Sequence, residues 1–255
     1  MNIVIIGSGN VATHLALAIK NAGHTIWQIF SRTITNAEML AGMVGAEATN
    51  DWSELRVDAD IYLISVTDGH IVDVIAKMPQ VNGVVAHTAG SMSMDILSRF
   101  SLYGVFYPFQ TFTKDKVLNF HDVPLLVEGN LSVARRQLRA LAEDISGHVQ
   151  KSNEEKRKAL HMSAVFACNF VNHLYVQADD LLSKAGLSFD LLAPLIRETT
   201  HKALSMKPKY AQTGPASRFD KEVINSHLAA LGNDSLSYQI YQLLSESIMQ
   251  ATRDE

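Results

Sequence analysis

Apolar residues in the first part of the chain gather in short runs, at 3–6, 25–30, 61–66 and 84–87, each too short and too β-rich for a buried helix. They predict buried parallel strands. Between them the spacing changes: Val11, Leu15, Ile19 and Ala22 recur at helical intervals, with Gly23 placed to end that helix in a left-handed cap. Ile71, Val74 and Ile75 repeat the helical pattern after the third run. This alternation of strand and helix predicts an α/β, doubly wound sheet. Further strands are expected at 104–107 and 123–127, then a helix over 132–144 and a last short strand near His148.

From Asn153 onward the β-rich runs disappear. The pattern predicts a long helix over 154–185, another over 191–206 and two more near the end. Gly186, Pro208, Gly214, Pro215, Gly232 and Asn233 punctuate them. The expected organisation is a nucleotide-binding domain over 1–150 and an all-α domain over 151–255, the boundary resting on the change of period alone.

Composition narrows the function classes. With 255 residues, 47% of them hydrophobic, the chain can bury the cores of two ordinary domains. A net charge of -4 without a local basic cluster argues against nucleic acid as a partner. The single cysteine, Cys168, allows no intrachain disulfide, and a strand directly after Met1 leaves no space for a leader, so the cytoplasm is the expected location. No stretch approaches the roughly 18 to 20 apolar residues of a membrane span.

The strongest motif is Gly7-Ser8-Gly9-Asn10-Val11-Ala12, between the first strand and the first helix. Gly7 permits the tight turn, Gly9 lets backbone approach a pyrophosphate, and small Ala12 lets helix and strand pack closely. The position before an amphipathic helix separates this pattern from an ordinary glycine turn. The second strand ends Phe30-Ser31-Arg32-Thr33, where an NAD site would carry Asp or Glu. A hydroxyl and a guanidinium fork match a 2′-phosphate instead, which favours NADP; the competing reading has Arg32 simply solvating a strand end.

Those motifs, with Ser65-Val66-Thr67-Asp68, His87-Thr88-Ala89-Gly90-Ser91, Tyr107-Pro108-Phe109-Gln110-Thr111-Phe112 and Thr213-Gly214-Pro215-Ala216-Ser217-Arg218, extend over essentially the whole chain. Together they resemble an uncharacterised bacterial family of NADP oxidoreductases. The resemblance implies a Rossmann domain followed by a helical domain of the 6-phosphogluconate dehydrogenase carboxyl-terminal type, with pyrroline-5-carboxylate reductase and 3-hydroxyacid dehydrogenases as relatives. It names no substrate. It also implies that the turn at Val66, Thr67 and Asp68 passes the nicotinamide ribose, although a helix cap explains Thr67 and Asp68 equally well.

The residues themselves suggest where chemistry gathers. His87 and Ser91 follow a strand end and suit a polar substrate pocket, while a satisfied loop hydrogen bond accounts for each one as well. Gln110 is a candidate for substrate contact; Phe109 and Phe112 read as packing. Hydride transfer to a carbonyl or imine consumes a proton, so a donor is needed. The 3-hydroxyacid relatives use a lysine with an asparagine four residues on, but here Lys156 and Lys158 are followed at that spacing by Leu160 and Met162. At about 100° per residue, His161, Val165, Cys168, Asn172, Tyr175 and Asp179 form one stripe with Asn169 beside it, so His161, Asn169 and Asn172 become catalytic candidates. Helix packing is the competing account of that stripe.

No metal site is expected, and no hydrolase or P-loop motif is present. The expectation is therefore an NADP-dependent oxidoreductase acting on a small polar carbonyl, imine, hydroxy acid or amino acid. The alternative is a non-catalytic NADP-binding sensor. A homodimer is expected from the long helix, apolar around most of its circumference, with chemistry placed between the two domains.

Overall fold

The computed structural model describes residues 1–253 apart from 115, 117 and 234. Among the described residues, eight strands form one sheet, and the first six follow the doubly wound order. They are β1 (Asn2–Ile6), β2 (Thr25–Phe30), β3 (Glu47–Thr49), β4 (Ile61–Ile64), β5 (Val84–His87), β6 (Tyr103–Pro108), β7 (Leu125–Gly129) and β8 (Val149–Lys151). They lie in the order β3-β2-β1-β4-β5-β6-β7-β8, parallel throughout except for the antiparallel β6–β7 pair. The order reverses between β1 and β4. At such a switch point a crevice opens beyond the carboxyl ends of the strands, where ligands of open α/β sheets bind.

Period-two alternation decides what each face of the sheet covers. Ile3 and Ile5 join Leu15 and Ile19 of α1 (Asn10–Asn21), Leu40 of α2 (Ile34–Val44) and Leu138 of α4 (Ser132–Ile145) in one core layer. Val4 and Ile6 face the opposite way, against Ile71 and Ile75 of α3 (Asp68–Lys77), with Tyr62 and Leu97. Both faces are dry, which explains the near-continuous hydrophobic runs in the sequence.

The sequence reading gives most strands their observed places but does not find every element. Helix α2 escapes it, and so does the three-residue strand β3, where Glu47-Ala48-Thr49 has no apolar run to betray it. The expected strand from 123 begins at Leu125 instead, since Pro124 has no N–H to donate to a ladder and only its carbonyl is used, accepting from Phe109 N at 2.8 Å.

The chain divides into two compact units, Met1–Phe166 and Ala167–Glu255. The expected boundary near 150 falls at the end of the sheet, and α5 (Glu154–Ala164) belongs to the first unit. A π-helical segment, Val165–Phe170, follows α5 and leads into α6 (Val171–Lys184). The remaining helices are α7 (Ala193–Ser205), the short α8 (Pro208–Ala211), α9 (Lys221–Leu231) and α10 (Leu236–Arg253). No helix among the described residues is long and apolar enough to cross a membrane.

Candidate active site

The turn after β1 is built by two glycines with different tasks. Gly7 has φ +127°, and a Cβ there would stand 2.1 Å from the Ser65 carbonyl oxygen, so the turns after β1 and β4 approach each other only because Gly7 lacks a side chain. Gly9 faces open space, with nothing within 4 Å of where its Cβ would lie. Helix α1 starts there without a capping side chain and without an acid in its first turn, leaving its first amides at the positive end of the helix dipole. An open, glycine-lined helix start is the cradle a pyrophosphate needs.

Ser8 Oγ lies 2.9 Å from Ser31 Oγ, joining this turn to the end of β2. Next to it Arg32 is exposed, and among the described residues no ion pair occupies its guanidinium. The residues present therefore fit NADP. Val11 is half-buried against the core, and Asn10 donates from Nδ2 to the Phe112 carbonyl at 3.0 Å, which fastens the chain after β6 to the start of α1.

The turn after β4 joins the turn after β5. Thr67 occupies the cap position of α3, yet its hydroxyl pairs with His70 Nδ1 at 2.8 Å and caps nothing. Asp68, in the first turn, accepts a short hydrogen bond from the Ser91 hydroxyl. Val66 is half-buried against the core layer of Val4 and Ile6 and within reach of Gly7.

The catalytic candidate His87 is corrected by this geometry. Its side chain is fully buried, Nδ1 accepts from Ala89 N–H at 3.2 Å, and Nε2 pairs with the Ser93 carbonyl at 3.2 Å. Burial pushes its pKa down to about 4, so the ring is neutral and has no nitrogen left for substrate. It shapes the 88–93 loop instead. Arg157 of α5 supports the same loop: wholly buried, it donates from Nη2 to the Met92 carbonyl at 2.8 Å and pairs closely with Glu128 of β7.

Tyr107, near the end of β6, is the residue to which the sequence reading gives no role. Its ring lies across Gly90, where a Cβ would come 2.5 Å from Tyr107 Cζ, and Phe109 meets it edge-on with centroids 6.0 Å apart. Its hydroxyl is 3.3 Å from Nδ1 of His161, on α5. Burial raises its pKa, and the Asp68 carboxylate raises it further. An aromatic residue at the carboxyl end of a strand, beside a turn holding glycine and serine, was the available signal.

Gln110 is exposed and its Oε1 accepts from Thr111 N–H at 2.8 Å, folding the amide onto its own backbone. Asn169 and Asn172 are exposed and belong to the second unit, whereas His161 belongs to the first. The stripe that grouped them assumes uniform helical phase, and the π-helical segment at Val165–Phe170 breaks that assumption because each π turn takes up an extra residue. No group of three or more metal-binding side chains occurs among the described residues.

With this geometry in place, comparison is informative. Residues 2–90 match the model of the family described as NADP oxidoreductase, coenzyme F420-dependent, and residues 123–248 match a domain of unknown function, DUF2520. A crystal structure described as a "putative NADP oxidoreductase" from Bacteroides fragilis is 41% identical, with 98% of each chain covered and a TM-score of 0.92. This chain belongs to the NADP oxidoreductase family. The oxidoreductase also shares its fold with a reductive aminase from Aspergillus terreus, at 16% identity, coverage of 99% and 94%, and TM-score 0.73. A 1-pyrroline-5-carboxylate reductase from Streptococcus pyogenes matches at 15% identity, coverage of 99% and 98%, and TM-score 0.60. No curated protein matches the chain. NADP is the cofactor of this family, and both glycines of the cradle, with Ser31 and Arg32, lie inside the segment matched by its model.

Proposed function

We propose that the oxidoreductase uses NADPH to reduce the C=N or C=O bond of a small polar substrate, or runs the reverse reaction. Bound NADPH supplies the hydride. The chain's own residues divide the remaining work. Gly7, Ser8, Gly9, Asn10 and Val11 form the pyrophosphate turn, Ser31 and Arg32 receive the 2′-phosphate, and the turn Val66, Thr67, Asp68 passes the nicotinamide ribose.

The observation that carries this reading is the juxtaposition, beyond the ends of β4, β5 and β6, of Asp68, Ser91, Tyr107 and His161 next to an open dinucleotide cradle. Polar groups concentrated there suit a reacting centre rather than simple nucleotide storage. Imines come first among substrates because relatives of the same fold are named as an aminase and a pyrroline reductase. Asn169→Ala is expected to lower turnover more than NADP affinity.

We further infer a homodimer. Among the described residues of the second unit only Ala216, Ile224 and Ser245 are buried, so its helices carry too little core of their own and a second copy is the natural cover. Sedimentation at micromolar concentration should give a dimer, and a monomer throughout would refute this part.

The function itself is tested by following NADPH absorbance with 1-pyrroline, 2-methyl-1-pyrroline, cyclohexanone with ammonia, and a set of 2-oxo acids. Turnover of any of them supports a reductase. Tight NADPH binding without turnover of any would support a sensor.

A further inference from the structure

The reductase reading leaves open which group gives the proton. The candidates around the Asp68–Ser91 pair can be taken in turn. His87 is buried, with both nitrogens engaged within its own loop. Ser91 has committed its hydroxyl proton to the Asp68 carboxylate, and an aliphatic hydroxyl is in any case a poor acid. Gln110 holds its own backbone.

Tyr107 differs from all of them. Its ring is fixed on two sides, by the Gly90 backbone, which has no Cβ to displace it, and by the edge of Phe109. Its hydroxyl sits against Gly90 of the loop after β5 and 3.3 Å from His161 Nδ1 of α5, and the Asp68 carboxylate at the start of α3 raises its pKa. Tyr107 is half-buried, while His161 is exposed to solvent. An acid fixed by packing and refilled through a wet imidazole is the arrangement that proton delivery requires.

We propose that the Tyr107 hydroxyl donates the proton to the substrate's nitrogen or oxygen and that His161 returns a proton to Tyr107 from water. This rests on the reductase reading above. As the hydride from NADPH forms the new C–H bond, the π electron pair of C=N or C=O moves to the heteroatom and takes the Tyr107 proton. The Oη–H bond breaks, and the phenolate is reprotonated from His161 Nδ1 while Nε2 takes a proton from water. The neighbouring carboxylate of Asp68 opposes loss of the proton until a developing negative charge on the substrate demands it, so the donor is loaded at neutral pH.

Tyr107→Phe keeps the ring and deletes only the hydroxyl. NADPH oxidation with the imine and ketone panel should fall by about 10²- to 10⁴-fold, with NADPH affinity within about twofold of the parent. His161→Ala should fall less and recover in part with added imidazole, which a merely structural histidine would not do. A second readout needs neither cofactor nor substrate: in protein carrying ¹³Cζ-tyrosine, the resonance missing from Tyr107→Phe should titrate above the ordinary tyrosine value near 10 and move down toward it in Asp68→Asn. If the parent oxidises NADPH and Tyr107→Phe retains its rate within about threefold, the donor role is wrong while the reductase reading stands. If the parent turns over nothing in the panel, both fall.

Discussion

In the first unit Ile3, Val4, Ile5 and Ile6 are completely buried, whereas in the second Leu191, Leu195 and Leu204 stay 64%, 63% and 83% exposed. A sheet covered on both faces closes its own core. The five α-helices among its counterpart's described residues, one of only four residues, do not. The difference locates two kinds of dependence: the first unit stands on close backbone contacts inside one chain, and the second on whatever covers its leucines. Substitutions in the first should therefore act at any protein concentration, while the stability of the second should vary with concentration.

The largest expected effect is at Gly7. Gly7→Ala places a methyl group 2.1 Å from the Ser65 carbonyl oxygen at a φ of +127°, so two independent penalties apply. Urea denaturation should show a loss of on the order of 3 kcal/mol or more. Gly9→Val, two residues away, meets open space and should keep the fold while abolishing tight binding of NAD and NADP alike, which calorimetric titration would reveal.

A slightly smaller effect concerns His87. Its folded pKa is lowered to about 4 from 6.5 by burial, so the unfolded chain binds a proton that the folded one refuses. Stability should be level above about pH 6.5 and decline as pH falls towards about 4, by at most about 3 kcal/mol. His87→Asn should remove that slope. Denaturation midpoints at several pH values would check it, and an unchanged slope in the variant would assign the acid sensitivity elsewhere.

The smallest effect sharpens the comparison most. If a second copy covers the helical unit, each tenfold dilution should cost the dimer about 1.4 kcal/mol. Hydrogen exchange at two protein concentrations should then show this loss in α6 and α7 and none in β1 or β4. Equal protection at both concentrations would mean that the helices close on themselves.

The sheet was legible because its strands are buried on both faces and bounded by glycine and proline; β3 was not, having three residues and a polar start. The turn after β1 was legible for the same local reason, since Gly7 and Gly9 are read from backbone shape and Ser31 and Arg32 from the absence of an acid at the end of β2. The reacting centre was less so. His87 and Ser91 look alike in a sequence, and only burial distinguishes the one that braces its loop from the one that meets Asp68. Tyr107 gains its place from Gly90, 17 residues earlier, and from His161, 54 residues later, pairings that no periodicity contains. The π-helical segment likewise breaks a stripe that uniform helical spacing predicts.

Whether Arg32 reads the 2′-phosphate is tested most directly by titrating the parent and Arg32→Ala with NADP and with NAD in a calorimeter. The parent should prefer NADP, and the variant should lose about 2 kcal/mol for NADP, the scale of a charge-assisted hydrogen bond, with NAD almost unaffected. Equal losses for the two cofactors, or a parent that binds NAD as tightly as NADP, would contradict it.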